Sequence, residues 1–351
     1  MLDDLRKRIR EVDGKIAALV AERLQLAGAI GEEKEKLGLP VRDFATEKRV
    51  HDSMAAHASE YGIDPDILAG VTRHLIRGAV KHQAERRKPL AATGEKSAAI
   101  IGGAGHMGRW FGGYLSTRGY GIRTIEAGES LKSAVEADLV VVCVPLDVMR
   151  DVLESLIAQG PRGTVIEIAS LKSSFTELVP GWIEKGVRFA STHPMFGADA
   201  DMLSGQNMII CEAGCPEAEE EAAALFNESA VNLVRLPLEE HDRMMTWVLN
   251  LPHLMNLLMA DLLTSTSLPY SQLQEIGGTT FNRQNSVTRE VVRENPGLYY
   301  NIQRINRHRD ELYSAARAGL ERVIYDVQNP DPANFVNRME GWRSWFGENE
   351  R

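Results

Sequence analysis

The 351-residue chain has few cysteines, few aromatic side chains and no excess of basic charge. Three cysteines (Cys143, Cys211 and Cys215) are too few for a disulfide framework and fit a reducing compartment. Cys211 and Cys215 have no His or further Cys beside them in sequence, so no metal site is expected. Lys and Arg number 40 against 49 Asp and Glu, a net charge of −9. A general nucleic-acid binder needs clustered cations to neutralise phosphates, so nucleic acid is excluded as a partner, while a local cationic pocket for a small anion is not. No apolar run has membrane-spanning character. The greasiest stretch, 244–263, is interrupted by Asn250, Pro252, His253, Asn256 and Asp261 and reads as a buried helix. The start is charged from Asp3 onward and has no signal-peptide core, so a cytoplasmic protein without a membrane partner is expected.

What is present divides into three regions. Residues 1–88 read as a helical domain, with breaks near Gly38-Leu39-Pro40 and Gly62-Ile63-Asp64-Pro65, and 89–95 as a polar linker. Over 96–238, short apolar runs alternate with helical ones, the pattern of an α/β Rossmann domain. Runs at 98–101, 121–125, 139–144 and 164–168 predict parallel strands buried on both faces, and 208–210 and 231–234 continue the series. Residues 239–351 return to helix. The fold class is multidomain: all-α, then α/β, then all-α.

Leu2, Leu5, Ile9, Val12, Ile16, Leu19, Arg23, Leu26 and Ile30 step by 3 and 4, the seam of a long helix packed along its length on other helices. Arg23 breaks the seam. A guanidinium there calls for an anion, either a protein carboxylate that fixes register or a bound ligand. Lys34 follows Arg23 by 11 residues on a similar face, about 16 Å along the axis. Arg6 precedes Arg23 by 17 residues, about 25 Å, too far to share one small ligand unless it comes from an antiparallel partner chain.

Leu5-Arg6, Asp13, Glu22-Arg23, Lys34, Pro40-Val41-Arg42-Asp43, Glu47 and Gln83 together resemble the all-helical chorismate mutase family. The resemblance implies an intertwined dimer that rearranges chorismate to prephenate. Arg6 of the other protomer and Arg23 would bind carboxylates, Lys34 and Gln83 would face the ether oxygen, and Asp43 and Glu47 would hold the hydroxyl. Two positions depart from that family: Thr46 stands where Arg is usual, and Ala79 replaces a small polar residue. Arg42, Lys48 and Arg49 are the cations close enough in sequence to substitute for the missing Arg.

Gly103, Gly105 and Gly108 form G-x-G-x-x-G between an apolar run and a helical one, a dinucleotide fingerprint. Gly103 is expected to allow a tight turn, Gly105 to let the backbone approach a pyrophosphate, and Gly108 to let the helix pack on the strand. Glu126, about 20 residues on at the end of the second strand, can accept both ribose hydroxyls and favours NAD over a 2′-phosphorylated cofactor. Arg123 lies nearby.

The Gly-rich loop with Met107, the Ala169-Ser170-Leu171-Lys172 turn, His193-Pro194-Met195-Phe196-Gly197, Glu240-His241-Asp242 and Leu251-Pro252-His253 resemble the prephenate dehydrogenase family over about 96–350. The resemblance implies NAD-dependent oxidation of the ring hydroxyl of prephenate with loss of CO2. His193 would be the base, Ser170 would orient it, and His253 would serve substrate or tyrosine recognition. Arg289 is the choice for the side-chain carboxylate, with Arg293 as competitor. Ala198 departs from the usual proline. The C-terminal helices would form a dimer interface, and tyrosine is a candidate feedback ligand. A mutase followed by a dehydrogenase resembles the bifunctional enzymes of tyrosine synthesis. The alternative is an arogenate or other NAD-dependent dehydrogenase whose first domain only dimerises or regulates.

Overall fold

The computed structural model describes residues 1–37, 44–84, 96–198, 200, 203, 205–227, 229 and 231–348. The chain divides into two compact units, one of residues 1–170 and 175–238, the other of residues 171–174 and 239–351. The expected linker 89–95 lies outside the described residues.

The first region is three helices: α1 (Leu2–Lys36), α2 (Phe44–Tyr61) and α3 (Pro65–Ala84). Asp3 and Asp4 open α1, and Lys34 and Lys36 close it, each sign opposing the helix dipole. Gly62, at φ +62°, reverses the chain, and the Asp64 carboxylate accepts from Asp66 N–H at 2.9 Å just after Pro65 starts α3. Both α1 and α2 pack on α3, burying Ala27, Gly28, Ala58, Thr72 and Ile76. The expectation that α1 is packed along its length fails within one chain. Apart from Arg23, every residue of the seam is 49–64% exposed, because α3 meets α1 on another face, around Leu24, Ala27 and Gly28.

The second region is a seven-stranded sheet of β1 (Lys96–Ile101), β2 (Tyr120–Ile125), β3 (Leu139–Val142), β4 (Thr164–Glu167), β5 (Phe189–Pro194), β6 (Asn207–Glu212) and β7 (Asn232–Pro237). Their order is β2-β1-β3-β4-β5-β6-β7. Helices α4 (His106–Thr117), α5 (Lys132–Val135), α6 (Met149–Ala158), α7 (Val179–Glu184) and α8 (Pro216–Ala224) connect them. Two expectations need correction. The sheet is not wholly parallel, because β6 runs antiparallel to β5. In addition β5, which carries His193, is a strand that the apolar-run pattern did not predict. Its residues Ser191, Thr192 and His193 are polar yet buried, so hydropathy hides it. The last strand, β7, is largely exposed, as an edge strand with one neighbour can be.

The turn after β1 is held by sterics. The left-handed residue of this turn is Gly102, at φ +79°, one position before the first glycine of the fingerprint. A Cβ on Gly103 would instead meet the Thr124 side chain at 2.4 Å, and one on Gly108 would meet the Gly102 carbonyl oxygen at 2.2 Å. The helix can approach the strand only without those methyl groups.

The second unit is helical: α9 (Leu238–Met245), a π-turn (Thr246–Asn250), α10 (Leu251–Thr264), α11 (Tyr270–Glu275), α12 (Thr279–Arg293), α13 (Pro296–Ile305), α14 (Arg309–Gln328) and α15 (Ala333–Glu348). The stretch 244–263 is helical as expected but not buried throughout. Trp247, Val248 and Leu262 are exposed, because no described element of the chain covers that face. No helix among the described residues is long and apolar enough to cross a membrane.

The crowding at Gly108 yields the first prediction. Gly108→Ala destabilises the chain by about 1–3 kcal/mol in urea unfolding, the cost of overpacking against fixed backbone. A stability within a few tenths of the parent would contradict the close approach.

Candidate active sites

Arg23 is half-buried on α1, and its guanidinium donates to the Leu75 carbonyl at 3.0 Å. Burial pushes its pKa down, so the charge is held at a cost. Among the described residues no carboxylate pairs with it. Beside it lies a cavity of about 310 Å³, walled by Leu26, Ala27, Ile30, Val50, Ile76, Ala79 and Val80, with Arg23, Lys34, Thr46 and Glu47 as its polar lining. Three of the expected mutase residues (Arg23, Lys34 and Glu47) therefore meet in one apolar-walled pocket of ligand size.

Arg6 does not join them. It is exposed on the same helix and bonds its neighbour Asp3 at 3.4 Å, as its distance along the axis requires. Asp43 and Arg42 lie outside the described residues, as does the side chain of Gln83. At the position where Arg is usual, the Thr46 hydroxyl accepts from Arg49 at 2.6 Å, while Lys48 pairs with Asp52. The apolar wall from α3 went unnoticed in the sequence except for Ala79, although Ile76, Ala79 and Val80 have the one-face spacing of a helix.

The second site is built on the carboxyl edge of the sheet, where ligands of doubly wound folds bind. Gly105 caps α4, and its N–H donates to the Gly102 carbonyl at 3.1 Å. A Cβ on Gly105 would sit 3.2 Å from that oxygen, so the backbone lies bare at the helix N-terminus where a pyrophosphate would rest. Met107 packs against the core below the loop. The Glu126 carboxylate accepts from Ala104 N–H at 2.6 Å, so it stands on the loop itself, within reach of a ribose bound there. Arg123 is exposed on β2. The donors and glycines present fit NAD.

His193 is buried near the end of β5, and Ser170 is partly buried three residues beyond β4. The two strands are neighbours, with Glu167 opposite Ser191, so both side chains belong to one end of the sheet. From β1 to β5 is three strand spacings, about 14 Å, so the glycine loop and His193 lie apart along the same edge of the sheet. Phe196 packs on Trp110 of α4 at 5.2 Å between ring centres, and Met195 N–H donates to Asn207 at 2.9 Å, fixing the turn after His193.

In the second unit, His253 lies on α10 with its ring 4.5 Å from that of Tyr299 on α13. Its buried Nδ1 has no hydrogen-bond partner, and burial lowers its pKa, so the imidazole is neutral near pH 7. Asn256, three residues on, accepts from Thr288 at 2.8 Å and from Gln284 at 3.0 Å, which fixes the register of α12 and of the exposed Arg289 beside Thr288. Arg293 is exposed one turn further on. No local sequence pattern marks Tyr299, since only the fold sets it against His253.

A buried cluster holds the segment 171–174 in this unit. Asp242 accepts from Lys172 N–H at 2.8 Å, from Ser173 N–H at 2.6 Å, from the Ser173 hydroxyl and from His241 Nδ1 at 2.7 Å. Burial opposes its charge, but the bonds from His241, Ser173 and Lys172 hold its pKa below the usual 3.8. Burial also lowers the pKa of His241, against the pull of Asp242.

Family comparisons agree with this layout. Residues 5–84 match the model of chorismate mutase type II, 118–231 that of the prephenate dehydrogenase nucleotide-binding domain, and 237–341 that of the prephenate dehydrogenase dimerization domain. The T-protein of Enterobacter agglomerans is 24% identical over 355 residues, covering 100% of this chain and 94% of that protein. The chorismate mutase of Methanocaldococcus jannaschii is 39% identical over 75 residues, covering 21% of this chain and 76% of that protein. The crystal structure of prephenate dehydrogenase from A. aeolicus, in complex with hydroxyphenyl propionate and NAD+, superposes with a TM-score of 0.54 at 18% identity, covering 73% of this chain and 99% of that one. The helices thus define a mutase module and the sheet with its helical companion a dehydrogenase module. The chain belongs to the chorismate mutase type II family through its first domain, and its residues 118–231 and 237–341 match the two domains of the prephenate dehydrogenase family.

The buried Asp242 cluster sets the second prediction. Both shifts are downward, so the unfolded chain binds more protons than the folded one, and stability falls on acidification. His241 contributes below its usual 6.5, and Asp242 below its usual 3.8 as the pH falls through its depressed value. Asp242→Asn is expected to cost about 3 kcal/mol at pH 7, by leaving buried donors without an acceptor. That gap shrinks in thermal melts as the pH drops through the carboxylate range. A gap independent of pH would contradict the assignment.

Proposed function

We propose that this chain catalyses two successive reactions of tyrosine synthesis at two separate sites. Chorismate is rearranged to prephenate in the helical pocket. Prephenate is then oxidised and decarboxylated to 4-hydroxyphenylpyruvate, with NAD as acceptor, on the sheet. The observation that carries the first half is Arg23, which holds a desolvated charge with no described carboxylate partner beside a cavity shared with Lys34 and Glu47.

In the mutase reaction one carbon–oxygen bond breaks and one carbon–carbon bond forms, with no proton transferred. Catalysis is then positioning of a compact conformer and stabilisation of charge on the ether oxygen. Arg23 binds one carboxylate and Lys34 the ether oxygen, assisted by Gln83, while Glu47 and Asp43 hold the hydroxyl. The second carboxylate falls to Arg6 of a partner protomer. An antiparallel pairing of α1 with its copy covers the exposed seam and brings Arg6 to the partner's pocket, so the mutase acts as a homodimer. The bond between Arg49 and Thr46 puts a cation on the helix where Arg is usual.

In the oxidation, His193 accepts the proton of the ring hydroxyl and Ser170 orients it. The loop Gly103-Ala104-Gly105, with Met107 and Gly108, would hold the pyrophosphate of NAD and Glu126 its ribose, and the cofactor would supply the hydride acceptor. Loss of CO2 restores aromaticity and drives the step. The family resemblance adds Arg289 and His253, both carried by the second unit, as substrate-binding groups. Because the chain has both modules in the order of the two reactions, and its relatives include a protein similar over the full length, a dehydrogenase with a merely dimerising first domain is the weaker reading.

His193→Asn is expected to lower NADH formation from prephenate by about 10²–10⁴-fold, the usual contribution of a general base, and to leave chorismate consumption unchanged. In the absence of NAD the parent chain still converts chorismate to prephenate. Loss of both activities in His193→Asn, or chorismate turnover that requires NAD, would contradict two separate sites.

A further inference from the structure

The main-chain ladder between β4 and β5 ends at the pair Glu167 and Ser191. Ser170 lies three residues beyond that last rung on one side and His193 two residues beyond it on the other. β5 continues in register with β6 as far as Pro194 opposite Met208, whereas the 168–170 segment leaves the sheet. Something other than the ladder must hold the Ser170 turn against the strand end that carries His193.

The side chain of Glu167 makes that connection. It is fully buried. Its Oε2 accepts from Ala169 N–H, next to Ser170, at 2.7 Å. Its Oε1 accepts a short hydrogen bond from the Ser191 hydroxyl, and its main-chain oxygen accepts from the Thr192 hydroxyl at 3.1 Å. Alternate residues of a strand share a face, so Ser191 and His193 point to the same side of β5, and the Glu167 carboxylate meets Ser191 there. Burying a carboxylate is costly unless its oxygens are bonded. Here each oxygen is bonded to a different segment, one leading to Ser170 and the other to His193.

We infer that Glu167 is a positioning residue of the oxidation, one buried carboxylate that locks the Ser170 turn to the strand end bearing His193. It touches neither substrate nor cofactor, and acts by holding the spacing of the two groups that do. The inference rests on the reading of His193 and Ser170 given above.

The test is steady-state kinetics of the full chain with prephenate and NAD, with the thermal melt of each variant as the measure of folding. Glu167→Ala is expected to lower kcat about tenfold or more, since sub-ångström misplacement is expensive, with KM for both substrates within about twofold and mutase activity unchanged. Glu167→Gln can accept from Ala169 N–H and donate to the Ser191 oxygen, so it restores most of the lost kcat. Should Glu167→Ala fail to fold, Ser191→Ala decides, with a fall in kcat of several-fold, on the order of 3–10, at unchanged KM. A parental kcat in Glu167→Ala or Ser191→Ala overturns the inference, as does Glu167→Gln as slow as Glu167→Ala, or a KM that rises in step with the loss. An active His193→Asn chain would remove the reading beneath it. An inactive His193→Asn chain beside a fully active Glu167→Ala removes only the inference.

Discussion

A guanidinium drawn out of water needs compensation, and Arg23 finds only part of it inside the described chain. One bond to the Leu75 carbonyl satisfies a donor but not the charge, and burial depresses its pKa. The helix around it would be more stable with leucine there, as the seam itself suggests. Natural sequences keep such a residue where a ligand completes the balance, and the adjoining cavity with Lys34 and Glu47 is where that ligand fits. The same helix carries the seam that is exposed within one chain, and Arg6 sits too far along its axis to reach the pocket of its own helix. The proposed pairing and the pocket thus draw on one stripe of residues.

The oxidation relies on different physics. Its parts are spread along one edge of a sheet, where strand order and not sequence distance fixes their spacing. The glycine loop works through what is missing: methyl groups at positions 103 and 108 would collide with Thr124 and with the loop itself. His193 and Ser170 work through what is added, a buried carboxylate at the last rung between their strands. The segment 171–174 continues from Ser170 into the second unit, where Asp242 gathers its N–H groups.

Much of this was legible in the residues. The α1 stripe and its intruding Arg23, the glycine loop and Glu126 are local patterns, and local patterns survive without a structure. Three features were not legible, each for a physical reason. The strand β5 is buried yet polar, because the Ser191 and Thr192 hydroxyls bond to Glu167 on the neighbouring strand, so hydropathy does not mark it. The antiparallel turn of β6 depends on pairing across the sheet, which no run of residues reveals. The left-handed turn falls on Gly102, one position before the first glycine of the fingerprint, since the motif gives spacing but not dihedral angles. The role of Glu167 and the seat of Tyr299 against His253 are tertiary facts, and nothing in their own neighbourhoods announces them.

The central claim is that the charge on Arg23 exists for a bound diacid and not for the fold. Chorismate consumption by the full chain carrying Arg23→Leu tests it most directly, measured beside its melting temperature and its NADH formation from added prephenate. The account predicts a fall in chorismate turnover of about 100-fold or more, since lost electrostatic stabilisation of that kind is worth several kcal/mol, with stability equal to or above the parent and the oxidation unchanged. A variant that melts well below the parent while still consuming chorismate at the parental rate would show the arginine to be structural and contradict the account.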